Sequence, residues 1–259
     1  MVYRISFVQF NISLGDPERN FEKVQGFIEQ AAKEGCDLVL LPELWTGGYD
    51  YRNFITYKIE NRRILDKISV ISRLKKMIIA GSYLIEKDGK DYNSLIIHSN
   101  GQVLDHYEKL HLFSPMREDE FFTGGDHSTC ISLPWGKTGL AICYDLRFPE
   151  LFRKYSLGGA TVILVSSEWP LSRITHWQTL LRARAIENQV FIFACNCVGQ
   201  TGKEIFGGCS AVIDPSGNYL VKADSTEECL LKVDIDMGIV DKIRNDLPVF
   251  KDRRADIYG

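Results

Sequence analysis

Cys143 stands where an apolar run ends and a turn begins. Gly139-Leu140-Ala141-Ile142 leads into it, and Tyr144-Asp145-Leu146-Arg147-Phe148-Pro149-Glu150 follows, with Pro149 placed to open a helix. A thiol on such a turn is presented to a ligand, and the backbone N–H groups beyond it can stabilise a developing oxyanion. A free cysteine is also commonly a small buried hydrophobe, so residue type alone leaves both readings open. Glu43 is the second residue of this kind. The apolar run at 36–41 reads as a short buried strand, and Pro42-Glu43 sets a carboxylate where that strand gives way to a loop, a favoured place for chemistry in α/β folds. Taken singly, a glutamate there is also a common solvated loop residue or helix cap.

Other reactive residue types do not converge. His106, His111 and His176 come with no H-E-x-x-H and no paired Cys/His spacing, so no metal is expected. The seven cysteines are odd in number and only Cys195 and Cys197 are close neighbours, which fits neither a disulfide framework nor a zinc ribbon. Most of them are expected to be small buried thiols.

The elements that must position Glu43 and Cys143 are legible from periodicity. Asp16-Pro17-Glu18 followed by Phe21, Val24, Phe27, Ile28 and Ala31 reads as a capped amphipathic helix that Gly35 stops. Further helices are expected at 59–75, 149–157 and 172–187. Strands are expected at 1–10, 36–41, 77–85, 94–99, 102–107, 138–142, 161–165, 190–196, 209–214, 219–223 and 229–233. Lys87-Asp88-Gly89-Lys90 reads as a turn and Asn100-Gly101 as a hairpin turn, so the first sheet is mixed rather than parallel. Residues 110–127, with charges, Pro115 and Gly124-Gly125, read as a long functional loop. Strands and helices alternate early and late with hairpins between, which predicts an α/β protein of two packed sheets with helices outside.

Bulk composition narrows the function. A chain of 259 residues, 45% hydrophobic and 11% aromatic, can bury a sizeable core, and one domain over 1–259 is expected. With 31 basic and 34 acidic residues the formal net charge is −3 and no like-charge run forms a tail, so nucleic acid is not an expected partner. The N-terminal segment lacks the apolar core of a signal peptide and no segment approaches a membrane span, so no membrane partner and a cytoplasmic location are expected.

Three segments then carry a resemblance: Leu41-Pro42-Glu43, Glu108-Lys109-Leu110-His111-Leu112-Phe113, and Cys143-Tyr144-Asp145-Leu146-Arg147-Phe148-Pro149-Glu150. In this order they resemble the signature regions of the nitrilase superfamily of carbon–nitrogen hydrolases. His176-Trp177 through Arg182-Ala183-Arg184-Ala185-Ile186-Glu187-Asn188-Gln189 and the ending Leu247-Pro248-Val249-Phe250 match in character, so the resemblance spans essentially the whole chain. It implies a four-layer α-β-β-α sandwich, two mixed sheets packed face to face with helices outside. It also implies an enzyme without cofactor or metal, acting on a small-molecule amide and water.

The family's catalytic residues fall on Glu43 as general base, Lys109 for the oxyanion and Cys143 as nucleophile, with the second glutamate at Glu118. Glu120 lies two residues from Glu118, and the spacing to Gly124-Gly125 favours Glu118. The backbone N–H of Tyr144 is the expected second oxyanion donor. With Glu43 and Lys109 in place, a papain-like histidine base is unnecessary. A nearby ammonium is expected to lower the thiol pKa. Trp177, Leu180, Leu181 and Ala185 follow helical spacing and read as core or subunit interface, and the resemblance implies that their helix helps form a homodimer or higher homo-oligomer.

Within the superfamily the chain looks most like the ω-amidases, which hydrolyse the terminal amide of 2-oxo dicarboxylic acid monoamides such as 2-oxoglutaramate. Ser167-Glu168-Trp169-Pro170, Arg173 and His176-Trp177 carry that likeness. A substrate carboxylate calls for a cation, and Arg173 and Arg147 are the candidates. Arg147 also reads as a structural ion pair with Asp145 or Glu150. Trp169, Tyr49 and Phe113 are the candidate aromatic walls, with core packing an equal account of Phe113. N-carbamoyl-amine hydrolase, deaminated-glutathione amidase and nitrilase are the alternative activities. A non-catalytic binding protein on the same fold is the alternative of another class.

Overall fold

The computed structural model describes residues 2–201 and 203–258. Met1, which opens the expected N-terminal strand, and Gly259, the end of the expected domain, lie outside the described residues. In chain order the elements are β1 (Val2–Gln9), α1 (Pro17–Lys33), β2 (Leu38–Leu40), α2 (Phe54–Lys75), β3 (Ile78–Lys87), β4 (Lys90–Ser99), β5 (Gln102–Glu108), α3 (Glu118–Phe121), β6 (Cys130–Leu133) and β7 (Gly136–Ile142). They continue as α4 (Pro149–Leu157), β8 (Val162–Ser167), α5 (Ile174–Asn188), β9 (Phe191–Asn196), β10 (Val198–Thr201), β11 (Glu204–Gly207), β12 (Ala211–Ile213), β13 (Tyr219–Lys222), β14 (Cys229–Asp236), α6 (Gly238–Asp246) and α7 (Ala255–Tyr258).

The strands form two six-stranded sheets, in the orders β14-β1-β2-β3-β4-β5 and β13-β12-β9-β8-β7-β6, with β10 and β11 as a separate hairpin. Both sheets are mixed: β1, β2 and β3 run parallel in one, β7, β8 and β9 in the other, and the outer strands are antiparallel. Alternation along the central strands assigns the faces. Ile5 and Phe7 of β1, Leu38 and Leu40 of β2, and Ile78 and Ala80 of β3 belong to the core shared with the second sheet, where Phe7 meets Phe193 edge-on at 6.2 Å. Val8, Val39 and Ile79 point the other way, into a core closed by Phe21, Val24 and Ile28 of α1 and Ile64 and Ile68 of α2. Trp177, Leu181 and Ala185 of α5 and Phe152 of α4 cover the far side of the second sheet. The result is the four-layer α-β-β-α sandwich.

Local signals worked where they were strong. Asp16 caps α1 by accepting from the Arg19 N–H at 3.2 Å with Pro17 in the first turn. Asp88-Gly89 and Asn100-Gly101 all take positive φ, as two-residue hairpin turns require. The structure differs elsewhere. α2 starts at Phe54 rather than at 59, because Phe54 and Tyr57 bury against Leu44, Leu84 and Phe122. The long loop contains the one-turn helix α3, and β6, β10, β11 and α6 were not expected. β10 and β11 are four residues each, and α6 buries only Val240, too little for a periodic signal. Among the described residues no helix is long and apolar enough to cross a membrane.

Candidate active site

β7 ends at Ile142, and Cys143 then adopts φ +45°, opening the 3-10 turn Cys143–Arg147. That left-handed conformation costs a non-glycine residue about 1–2 kcal/mol, so neighbouring contacts must enforce it. Asp145 supplies them. Its Oδ2 accepts from the Ile142 N–H at 2.9 Å and the Tyr107 hydroxyl at 2.7 Å, and its Oδ1 accepts from the His111 N–H at 3.1 Å. His111 Nδ1 lies 2.7 Å from the same Oδ1, and the His111 ring stacks on Phe148 at 3.6 Å. Asp145 thus fastens the turn carrying Cys143 to the stretch carrying Lys109.

Lys109 follows β5 and is buried to 1% exposure, where an unpaired ammonium could not persist. Its Nζ lies 2.7 Å from Glu43 Oε1, 2.7 and 3.0 Å from the two oxygens of Glu118, and 3.2 Å from the Tyr49 hydroxyl. Each ammonium proton therefore has an acceptor. Glu118 Oε2 also accepts from the Phe113 N–H at 2.7 Å, which folds the 113–118 segment over the lysine. Glu43 Oε1 accepts from the Tyr49 hydroxyl at 2.7 Å and Asn93 Nδ2 at 2.9 Å, and its Oε2 from the Glu168 N–H at 2.9 Å. Glu43 and Glu118 are fully buried. Glu120 is exposed and pairs instead with Arg117, so the carboxylate beside Lys109 belongs to Glu118.

The protonation states follow from this packing. Burial raises the Glu43 pKa, but the Lys109 charge and the hydrogen bonds from Lys109 and Tyr49 outweigh it and hold the group below its ordinary value. Burial pulls Lys109 down, and the Glu118 and Glu43 charges more than offset it, so the ammonium titrates well above its usual range. Cys143 goes the other way. Burial and then the Glu43 charge push its thiol well above the ordinary value, and Lys109 opposes them without prevailing. The expected lowering of the thiol pKa by Lys109 is therefore not found in the free protein, because Lys109 is already neutralised by two carboxylates. The resting site holds a thiol beside an ionised Glu43.

Cys143 opens into a narrow, partly open cleft. Tyr49, Phe113, Tyr144, Trp169, Arg147 and Arg173 all line it, with Met116, Glu168 and Pro170. The Arg147 guanidinium lies over the Trp169 ring at 4.8 Å and 3.3 Å from His176 Nδ1, and Arg173 lies over Phe113 at 5.6 Å. Arg147 makes no ion pair with Asp145 or Glu150, because the Asp145 oxygens are taken by Ile142, Tyr107 and His111. Two arginines without a carboxylate partner therefore face the same cleft. Phe113 lines it too rather than lying in the core. Trp177, Leu181 and Ala185, read from sequence as core or interface, are fully buried in the core.

Two residues of the site were missed from sequence. Asn93 bridges Glu43 and Glu118 through Nδ2, at 2.9 and 3.1 Å, and is fully buried. Its only signal is an amide at an inward position of a strand that begins earlier than expected. Glu168 lies in the Ser167-Glu168-Trp169-Pro170 stretch; its main chain meets both Glu43 and Cys143, and it lines the cleft.

Comparison with known proteins agrees with this geometry. Residues 4–245 match the carbon–nitrogen hydrolase family. The chain is 41% identical to a 2-oxoglutaramate amidase of Bacillus subtilis (strain 168), over the full length of both. It is 32% identical to the omega-amidase NIT2 of Bos taurus, covering 99% of this chain and 96% of that one. Among solved structures it superposes on Nit3 of Saccharomyces cerevisiae, a member of branch 10 of the nitrilase superfamily, with a TM-score of 0.88, 30% identity, and 98% and 97% coverage of the two chains. The C. elegans NitFhit protein gives a TM-score of 0.92 at 31% identity, covering 100% of this chain and 66% of that one.

Proposed function

We propose that this chain, which belongs to the carbon–nitrogen hydrolase family, releases ammonia from the terminal amide of a 2-oxo acid such as 2-oxoglutaramate through a thioester on Cys143. It is a hydrolase of non-peptide C–N bonds. One observation carries the substrate reading: a cleft that opens on a thiol and is walled by Arg147 and Arg173, neither paired with a carboxylate, is complementary to a small anion bearing an amide.

In this mechanism the Glu43 carboxylate takes the Cys143 proton as sulfur attacks the amide carbon, which explains how a thiol with a raised pKa becomes a nucleophile. The C=O π pair moves onto oxygen, and that oxyanion receives hydrogen bonds from Lys109 and the Tyr144 N–H. Lys109 has no spare proton at rest, so the oxyanion takes the place of its longest contact, the Tyr49 hydroxyl at 3.2 Å. Collapse breaks the C–N bond, and Glu43 returns the proton to departing ammonia. Glu43 then takes a proton from water as the water oxygen attacks the thioester carbon; the C–S bond breaks, the product acid leaves, and Glu43 returns the proton to the Cys143 sulfur. Glu118 holds Lys109 and, through Asn93, Glu43 in place. No metal or cofactor enters any of these steps.

The hairpins and helices interlock within one sandwich, which supports a single domain. We also infer a cytoplasmic enzyme and a homodimer, the latter supported by exposed Leu171 and Ile186 around α5; light scattering tests it. Ammonia release from 2-oxoglutaramate, carbamoylated amines, aliphatic amides and nitriles tests the activity. Carbamoyl substrates alone also give carbon dioxide, and a preference for them overturns the substrate reading.

A further inference from the structure

Glu168 follows β8 and is held by its main chain to both reacting groups. Its N–H donates to Glu43 Oε2 at 2.9 Å, and its carbonyl faces Cys143 Sγ at 3.8 Å. Its side chain has no comparable anchor. The residue is 3% exposed, it lines the cleft with Cys143, Tyr49, Arg147 and Arg173, and its Oε1 is buried without a hydrogen-bond partner. Folded proteins leave few buried polar atoms unpaired, and one in the wall of a ligand cleft is where a ligand supplies the partner.

The surrounding charges decide what kind of partner that is. Glu43 and Glu118 already outnumber Lys109 in the buried cluster, and Tyr49, Cys143 and Cys197 add no cation; Arg147 and Arg173 stand on the cleft wall. Burial and then the Glu43 charge push the Glu168 carboxyl well above the usual carboxylate range, which favours its protonated form. A neutral carboxyl offers an O–H donor. The acyl part of a 2-oxo acid amide carries only acceptors, a keto oxygen and a carboxylate, and the arginines suit the carboxylate. We propose that Glu168 is a specificity-determining residue whose carboxyl O–H donates a hydrogen bond to the 2-oxo oxygen of the substrate. The inference rests on the amidase reading above and adds a second point of recognition to it.

Two substrates and two variants test it. Glutaramate has the same carboxylate and amide as 2-oxoglutaramate and lacks the keto oxygen. Glu168→Leu removes the donor and is expected to lower kcat/KM for 2-oxoglutaramate about tenfold, chiefly through KM, with a clearly smaller loss on glutaramate. Glu168→Gln keeps a donor that cannot ionise, so it restores most of that loss. In wild type, KM for 2-oxoglutaramate rises as pH climbs through the raised Glu168 pKa and the lost proton places a negative charge against the substrate; in Glu168→Gln that rise is reduced. Equal losses on both substrates, or a Gln variant as impaired as Leu, overturn the hydrogen-bond assignment. If wild type turns over 2-oxoglutaramate and Glu168→Leu matches it, Glu168 alone is wrong. If wild type ignores 2-oxoglutaramate, the functional reading fails and this one with it.

Discussion

Lys109 Nζ and Glu43 Oε1 lie 2.7 Å apart with neither side chain exposed to solvent. A pair so placed has lost all hydration, and each charge persists only because the other is present. Glu118 completes the cluster at 2.7 Å from the same Nζ, and Asn93 Nδ2 bridges the two carboxylates. Lys109→Met therefore leaves two buried carboxylates facing each other without a cation. We expect a loss of about 3–5 kcal/mol in urea unfolding together with loss of turnover. A variant as stable as wild type would show that the cluster is not a charged one.

The same cluster sets a pH window for stability. The folded pKa of Glu43 lies below its ordinary value of 4.5, so its contribution is complete above that value and is lost as pH falls through the lowered one. Lys109 is raised above 10.5, so its contribution is complete below that value and is lost only as pH climbs through the raised one. Glu43→Gln cannot titrate. The urea midpoint of wild type should therefore fall more steeply than that of Glu43→Gln between pH 5 and 3, and parallel curves would contradict the shift.

Cys143→Ala should abolish turnover and leave the fold intact, because the residue sits at the cleft rather than in the middle of a packed layer. Residual activity above roughly one per cent would remove the thiol from the mechanism. The raised thiol pKa adds a kinetic signature: iodoacetamide should modify Cys143 slowly at pH 7 and faster as pH rises, with substrate protecting. Fast modification at neutral pH, without dependence on pH, would mean a resting thiolate. EDTA should leave the rate unchanged, and loss of activity restored by zinc would overturn the metal-free mechanism.

What the sequence revealed divides along a physical line. Glu43 and Cys143 could be placed because each ends an apolar strand, and strand ends are set by local pattern. Lys109 and Glu118 stand out only through the joint motif that carries the resemblance. The spacing to Gly124-Gly125 favours Glu118 over Glu120, and the structure agrees, with Glu118 buried against Lys109 and Glu120 paired with Arg117 at the surface. Asn93 and Glu168 reach Glu43 from 50 and 125 positions away, contacts that sheet packing creates and no window along the chain contains. The raised thiol pKa escapes the sequence for a related reason. Proximity to a lysine predicts a lowered value only if that lysine's charge is free, and here two carboxylates hold it.

Substrate choice is tested at the arginines. Arg173 lies over the Phe113 ring at 5.6 Å and Arg147 over the Trp169 ring at 4.8 Å, and neither guanidinium is paired with a carboxylate, so both can meet a ligand in the cleft. A substrate carboxylate bound there forms charge-assisted hydrogen bonds worth about 1.5–3 kcal/mol. Arg173→Ala should then lower kcat/KM for 2-oxoglutaramate roughly ten- to a hundred-fold. Neutral amides of similar size should lose far less, because they make no such pair. The contrast is decisive, since general damage to the cleft lowers both substrate types together. Equal losses would acquit Arg173, and a selective loss in Arg147→Ala alone would move the contact to that residue. Comparable selective losses in both single variants would mean that the carboxylate is held between them, as two guanidinium groups without a carboxylate partner lining one cleft allow.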